Sequence, residues 1–112
     1  MIWLGTSIQE WSPIMGATGV LATLVSPIGR RDETLAALQA LEAAATAEPG
    51  TTLFSINEHR DEPGTFSVFE RYESQAAVDE HRSSPAMQAF REALTTLGIR
   101  PTLTFTQPID SA

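Results

Sequence analysis

The order of strand and helix signals in this sequence predicts an α+β fold: a ferredoxin-like, four-stranded antiparallel sheet with helices on one face. Three observations predict it. Short runs rich in β-branched and aromatic residues recur along the chain, with helical stripes between them. The turn signal Asp61 to Gly64 joins the two middle strands directly, so they pair as an antiparallel hairpin. Each other connection carries helix, as a crossover between parallel strands requires.

The chain divides into an N-terminal arm, residues 1–17, and one domain, residues 18–112. In the arm Trp3 and Trp11 stand among Gly, Ser and Pro, either packing the arm on the domain or a partner chain, or forming a lid. Gly19 to Ser26 is Val- and Leu-rich and short, which predicts a strand ended by Pro27 and Gly29. The next helix is expected to start with Asp32 as N-cap and Glu33 in its positive first turn. Leu35, Leu38, Leu41 and Ala45 recur at helical spacing as a core stripe, and Pro49-Gly50 stops the helix. Thr51 to Arg60 and Thr65 to Glu73 are the hairpin strands. Ser74 caps a short helix, Gln75 to Arg82. Ser84-Pro85 places an N-cap hydroxyl before a proline at the first helical position. Met87, Phe90, Leu94 and Leu97 stripe the helix that follows, and Gly98 suits a left-handed C-terminal cap. The last strand runs from Arg100-Pro101 to Gln107-Pro108, with prolines suited to an edge or to strand ends.

The stretch Pro63 to Leu97 organises the rest. Phe66, Val68, Glu70 and Tyr72 share one strand face, because side chains alternate with period two. That face starts apolar and ends polar, so Glu70, Tyr72 and the downstream His81 are expected to line a pocket floor and mouth. The uncovered face of the sheet would show Phe69 with one alternate set of residues 51–60. A face so apolar is expected to pack on its twin in a symmetric homodimer.

Composition narrows the function. The chain has 112 residues, enough for one modest core with roughly two-thirds of its unfolded surface buried. A net charge of −7, with no basic run, argues against nucleic acid and anionic membranes and suggests a neutral or compact substrate. The absence of cysteine removes disulfides, thiolate catalysis and zinc–sulfur sites, and fits a cytoplasmic protein. The N-terminus has neither the basic start nor the long apolar run of a signal peptide or membrane span. With two histidines in the chain, and only two oxygens and one nitrogen among Glu70, Tyr72 and His81, no metal site is expected.

The run Pro49 to Phe90 resembles the antibiotic biosynthesis monooxygenase family, small proteins of the dimeric α+β barrel superfamily. The resemblance is carried in order by Pro49-Gly50, Phe54, the Glu62-Pro63-Gly64 turn, Phe66, Glu70-Arg71-Tyr72, Ala77, His81 and Ser84-Pro85. It extends from Val20 to about Pro108. The family often has tyrosine where Phe54 stands, tryptophan where Tyr72 stands, and a second histidine where Ala86 stands. Its haem-degrading branch has an asparagine, a tryptophan and a histidine near the places of Thr23, Tyr72 and Phe90-Arg91, so haem degradation is disfavoured.

The resemblance implies a cofactor-free monooxygenase acting with O2 on an aromatic polyketide, anthrone or quinol, in a homodimer with one pocket per chain. The alternatives are a non-oxygenase dimer that binds a small apolar ligand, and a polyketide cyclase- or isomerase-like barrel protein. For the oxygenase, Phe54, Phe66, Met87 and Phe90 would bind a flat substrate. His81 would be the base, since an ordinary imidazole works near neutral pH, and Tyr72 would hydrogen-bond a substrate oxygen. Glu70 would orient His81 or Arg71. Each also has a plainer role: His81 as a bridge from helix to sheet, Tyr72 as a wall, Glu70 as the partner of Arg71, Arg82 or Arg91. His59, near the hairpin turn, is expected to be solvated.

Overall fold

The computed structural model describes residues 16–109, so Trp3, Trp11 and most of the expected arm lie outside the described residues. In chain order the elements are β1 (Thr18–Val25), α1 (Arg31–Ala45), β2 (Thr51–Glu58), β3 (Thr65–Tyr72), α2 (Gln75–Arg82), α3 (Pro85–Leu97) and β4 (Thr102–Thr106). The four strands form one sheet in the order β2-β3-β1-β4, and every neighbouring pair is antiparallel. α1 therefore carries the chain across β3, and α2 with α3 carries it across β1. This is the ferredoxin-like plan that the sequence predicts. Among the described residues no helix is long and apolar enough to cross a membrane.

The core lies between the helices and one sheet face. Leu38 and Leu41 of α1 and Phe90 and Leu94 of α3 meet Ala22, Leu24, Phe54, Phe66 and Val68 of the strands. Burial of each large side chain contributes about 1.5–3 kcal/mol, so these stripes hold the helices on the sheet more than helix propensity does. α1 starts earlier than expected. Arg30, not Asp32, occupies the cap, and it caps with no side-chain hydrogen bond. Asp32 and Glu33 sit in the first turn instead, where the helix dipole favours carboxylates and where they pair with Arg31 and Arg30.

β2 settles a choice of face that its sequence leaves open. Its register against β3 slips between Thr51 and Leu53. Beyond the slip Phe54 pairs with Glu70 and Ile56 with Val68, so both face the helices. Leu53 and Ser55 join Phe69 on the opposite face, next to Leu21 of β1. Leu21, Leu53 and Phe69 are 38%, 46% and 46% exposed there. β2 also ends two residues short of Arg60. The Glu58 carboxylate accepts from the Gly64 N–H at 2.8 Å and from Arg31 at 2.7 and 3.1 Å, and so ties the strand end to the turn and to α1. Hydrogen bonds from Arg31 first, and then from Gly64, hold its pKa at about 2. The clamp therefore stays ionised near neutral pH.

The helix signals after the hairpin appear as predicted. The Ser74 hydroxyl accepts from the Ala77 N–H, and the Ser84 hydroxyl from the Met87 N–H, each at 3.1 Å. Pro85 opens α3, and Gly98 closes it with a φ of 72°, a left-handed value that glycine adopts without a Cβ penalty. β4 is shorter than expected and, among the described residues, is an edge strand bonded only to β1, with Pro101 and Pro108 outside its ends.

Gly50 marks where the start of β2 meets α2. A Cβ there would lie 2.4 Å from the Ala77 Cβ. Gly50→Ala is expected to destabilise the fold by about 1–3 kcal/mol, because the crowded backbone must move apart. Urea denaturation would read this as a lower midpoint. An unchanged midpoint would mean that α2 yields without cost.

Candidate active site

Strand alternation brings Phe66, Val68, Glu70 and Tyr72 to the helix side, as expected. Val68, Glu70 and Tyr72 line a cavity of about 140 Å³ between sheet and helices. Phe54 of β2 and Met87 and Phe90 of α3 line it too, with Leu38 and Leu41 of α1 and Val20 and Ala22 of β1. Phe66 does not. It is 1% exposed and packed in the core, with the Arg31 guanidinium 6.0 Å from its ring centroid. The expected substrate contact at Phe66 is therefore corrected to core packing, at the end of β3 away from the cavity.

Glu70 and Tyr72 are two residues apart on one strand face, and the Tyr72 hydroxyl donates to Glu70 Oε1 at 2.5 Å. Burial pushes the Glu70 pKa above its usual 4.5; the Tyr72 hydroxyl, His81 and Arg82 pull the other way. Burial, and then the Glu70 charge, push the Tyr72 phenol far above its usual value. Tyr72 therefore keeps its proton, and acts as a donor and not as a base. Glu70 neither orients His81 nor forms a salt bridge among the described residues. Arg71 cannot serve it, because adjacent strand residues point to opposite faces.

His81 is 3% exposed and lies one residue before the end of α2. The backbone holds it from one side, since the Ser84 hydroxyl donates to the His81 carbonyl at 2.7 Å. Its ring tilts against Tyr72 at 5.2 Å and Phe54 at 6.1 Å between centroids. Its Nδ1 lies 2.9 Å from Glu48 Oε1, and that oxygen also accepts from the Thr51 hydroxyl at 3.1 Å. A carboxylate oxygen is the acceptor in this contact, so Nδ1 carries a proton, and in the singly protonated tautomer Nε2 is then the acceptor. His81 thus bridges helix to sheet and lines the cavity at once.

Glu48 is a residue that sequence reasoning misses. It stands 33 positions before its partner, and only the tertiary fold brings the two together. The mouth is missed as well. Arg82 of α2, Arg91 of α3, and Leu103 and Phe105 of β4 line the cavity and are all exposed, so they mark its opening. His59 is where it is expected, half-exposed beside the hairpin turn and bonded to the Ser67 hydroxyl at 2.7 Å.

Comparison with known proteins gives the site a context. The profile of the antibiotic biosynthesis monooxygenase family matches residues 19–93. The chain is 34% identical over 94 residues to Rv0793 of Mycobacterium tuberculosis, whose name assigns it provisionally as a monooxygenase; the match covers 83% of this chain and 92% of that protein. The solved structure of Rv0793 superposes with a TM-score of 0.79 at 31% identity, over 87% of this chain and 99% of that one. A Caulobacter crescentus CB15 structure, provisionally assigned as an antibiotic biosynthesis monooxygenase, gives a TM-score of 0.82 over 94% of this chain and 100% of that one. Its identity of 22% makes that likeness one of fold alone.

Proposed function

The chain belongs to the antibiotic biosynthesis monooxygenase family, and we propose that it is a cofactor-independent monooxygenase oxidising an aromatic polyketide, anthrone or quinol with O2. The observation that supports this reading most is the pairing of an apolar chamber with a buried, carboxylate-held histidine and a protonated tyrosine. Ground-state dioxygen is a triplet and reacts slowly with closed-shell molecules. An electron-rich carbanion or phenolate can pass it one electron, so the protein's task is to make that anion and keep it dry.

For an anthrone the steps balance as follows. His81 Nε2 takes one proton of the ring CH2 group, while the Tyr72 hydroxyl turns its single proton from Glu70 to the substrate oxygen that receives the charge. The anion gives an electron to O2, and the two radicals combine to form a C–O bond. The peroxide oxygen takes the proton back from His81. Loss of water, with the second C–H proton, leaves a carbonyl, so CH2 and O2 become C=O and H2O. Glu48 acts through His81 as a positioning residue, and Phe54, Met87 and Phe90 supply flat walls. A chamber of about 140 Å³ is comparable to a cavity that holds one aromatic ring, so further rings would extend through the mouth.

The assembly we infer is a homodimer closed across the outer sheet face, where Leu21 and Phe69 lie side by side and Leu53 adds to the patch. Light scattering on the purified protein is expected to give twice the chain mass. A monomer at micromolar concentration would remove this part of the reading.

Oxygen uptake with a panel of anthrones and hydroquinones tests the chemistry. Turnover by the native protein is expected, with kcat lowered about 10²- to 10⁴-fold in His81→Ala. Unchanged turnover in that variant would take His81 out of the mechanism. No uptake, together with a rise in melting temperature on adding aromatic ligands, would favour the non-oxygenase ligand-binding dimer instead.

A further inference from the structure

The charge at the cavity mouth is opposite to that of the whole protein. The chain carries −7 overall, and its seven basic residues are all arginine. Two of them, Arg82 and Arg91, line the opening of a mainly apolar chamber, whose other polar side chains include Glu70, Tyr72 and His81. Arg30 and Arg31 are paired with nearby carboxylates. Arg82 and Arg91 form no salt bridge among the described residues. They are nonetheless held in place. The Arg82 guanidinium lies 5.7 Å from the Phe105 ring centroid, and Arg91 Nη2 donates to the Arg82 carbonyl at 2.8 Å. A guanidinium has five N–H donors, so both retain donors for a ligand.

We propose that Arg82 and Arg91 form an anion-binding subsite at the mouth, which takes a carboxylate carried by the aromatic substrate whose ring fills the chamber. The planar fork of donors on arginine matches a carboxylate in two-point contact, and the aromatic support under Arg82 keeps it oriented. Glu70 is the carboxylate that lines the cavity, and Glu48 stands behind His81. Each lies inward and already accepts hydrogen bonds, Glu70 from Tyr72 and Glu48 from His81 and Thr51. The remaining negative charge of the protein is screened beyond about 8–10 Å at physiological salt, so the local pair of guanidinium groups decides what enters. Net charge alone suggests a neutral substrate; the mouth reverses that expectation.

The inference rests on the reading of this cavity as an aromatic-substrate site, but its test needs no turnover. Titration calorimetry of the intact protein with 2-naphthoate and its neutral isostere 2-naphthamide would measure the preference directly. Native protein is expected to bind the carboxylate about tenfold tighter or more, as charge-assisted hydrogen bonds allow. Rising potassium chloride should weaken naphthoate and leave naphthamide unchanged. Arg82→Met/Arg91→Met should lose the preference while binding naphthamide as before. If that variant does not fold, the salt titration of native protein still decides, with Arg82→Lys/Arg91→Lys expected to keep part of the preference. Equal affinities, a preference for the amide, a preference that survives in the methionine variant, or binding of neither ligand would overturn the subsite. A preserved naphthoate preference in a protein without oxygen uptake would remove the oxygenase and keep the subsite; turnover without the preference would do the reverse.

Discussion

A strand that buries Val68 and Tyr72 beneath the helices must carry Glu70 to the same side, because alternate residues share a face. The rest of the site depends on that constraint. A carboxylate drawn under an apolar roof is costly unless something donates to it. Tyr72 does so from two residues along, at 2.5 Å. The cost remains visible in the raised Glu70 pKa, and its consequence is a phenol that holds its proton firmly. Apolar packing and one obligatory polar pair thus arise from the same short strand.

The break between α2 and α3 supplies the other half. Ser84 caps α3 through its hydroxyl, which also donates to the His81 carbonyl. The end of α2 is therefore fixed at the joint, with His81 turned inward and Arg82 outward. The loop after α1 brings Glu48, steadied by Thr51, to Nδ1 of His81. Gly50 permits that approach, since the turn that carries Glu48 packs directly on Ala77 of α2. The histidine is thereby held from backbone and side chain, and each nitrogen of its ring has a separate task.

Much of this is legible in the sequence. The element order follows from turn and cap residues that act locally: Ser74, Ser84-Pro85 and Gly98 each do what their chemistry requires. The shared face of Glu70 and Tyr72 follows from period two alone. The parts that are not legible depend on distance or on register. Phe66 obeys the same alternation as Tyr72, but alternation fixes only the face and not the position along the strand, and the chamber occupies the Tyr72 end. The slip between Thr51 and Leu53 decides which side of the sheet Phe54 faces, and nothing in the composition of β2 announces it. Glu48 reads as an ordinary residue before a helix stop, because its partner belongs to another element. The mouth arginines are hidden by a net charge that describes the whole surface and not one opening. Asp32 has the chemistry of a cap, but the helix finds its first turn around it.

The central claim is that Glu48 fixes the His81 ring with its proton on Nδ1 and leaves Nε2 to receive a substrate proton. Nitrogen-15 NMR of histidine-labelled protein reads the tautomer directly, with His59→Gln used to assign the two signals. At alkaline pH, where an imidazole is neutral, this account predicts a protonated Nδ1 and an unprotonated Nε2 for His81. The opposite tautomer, with the proton on Nε2, would contradict it.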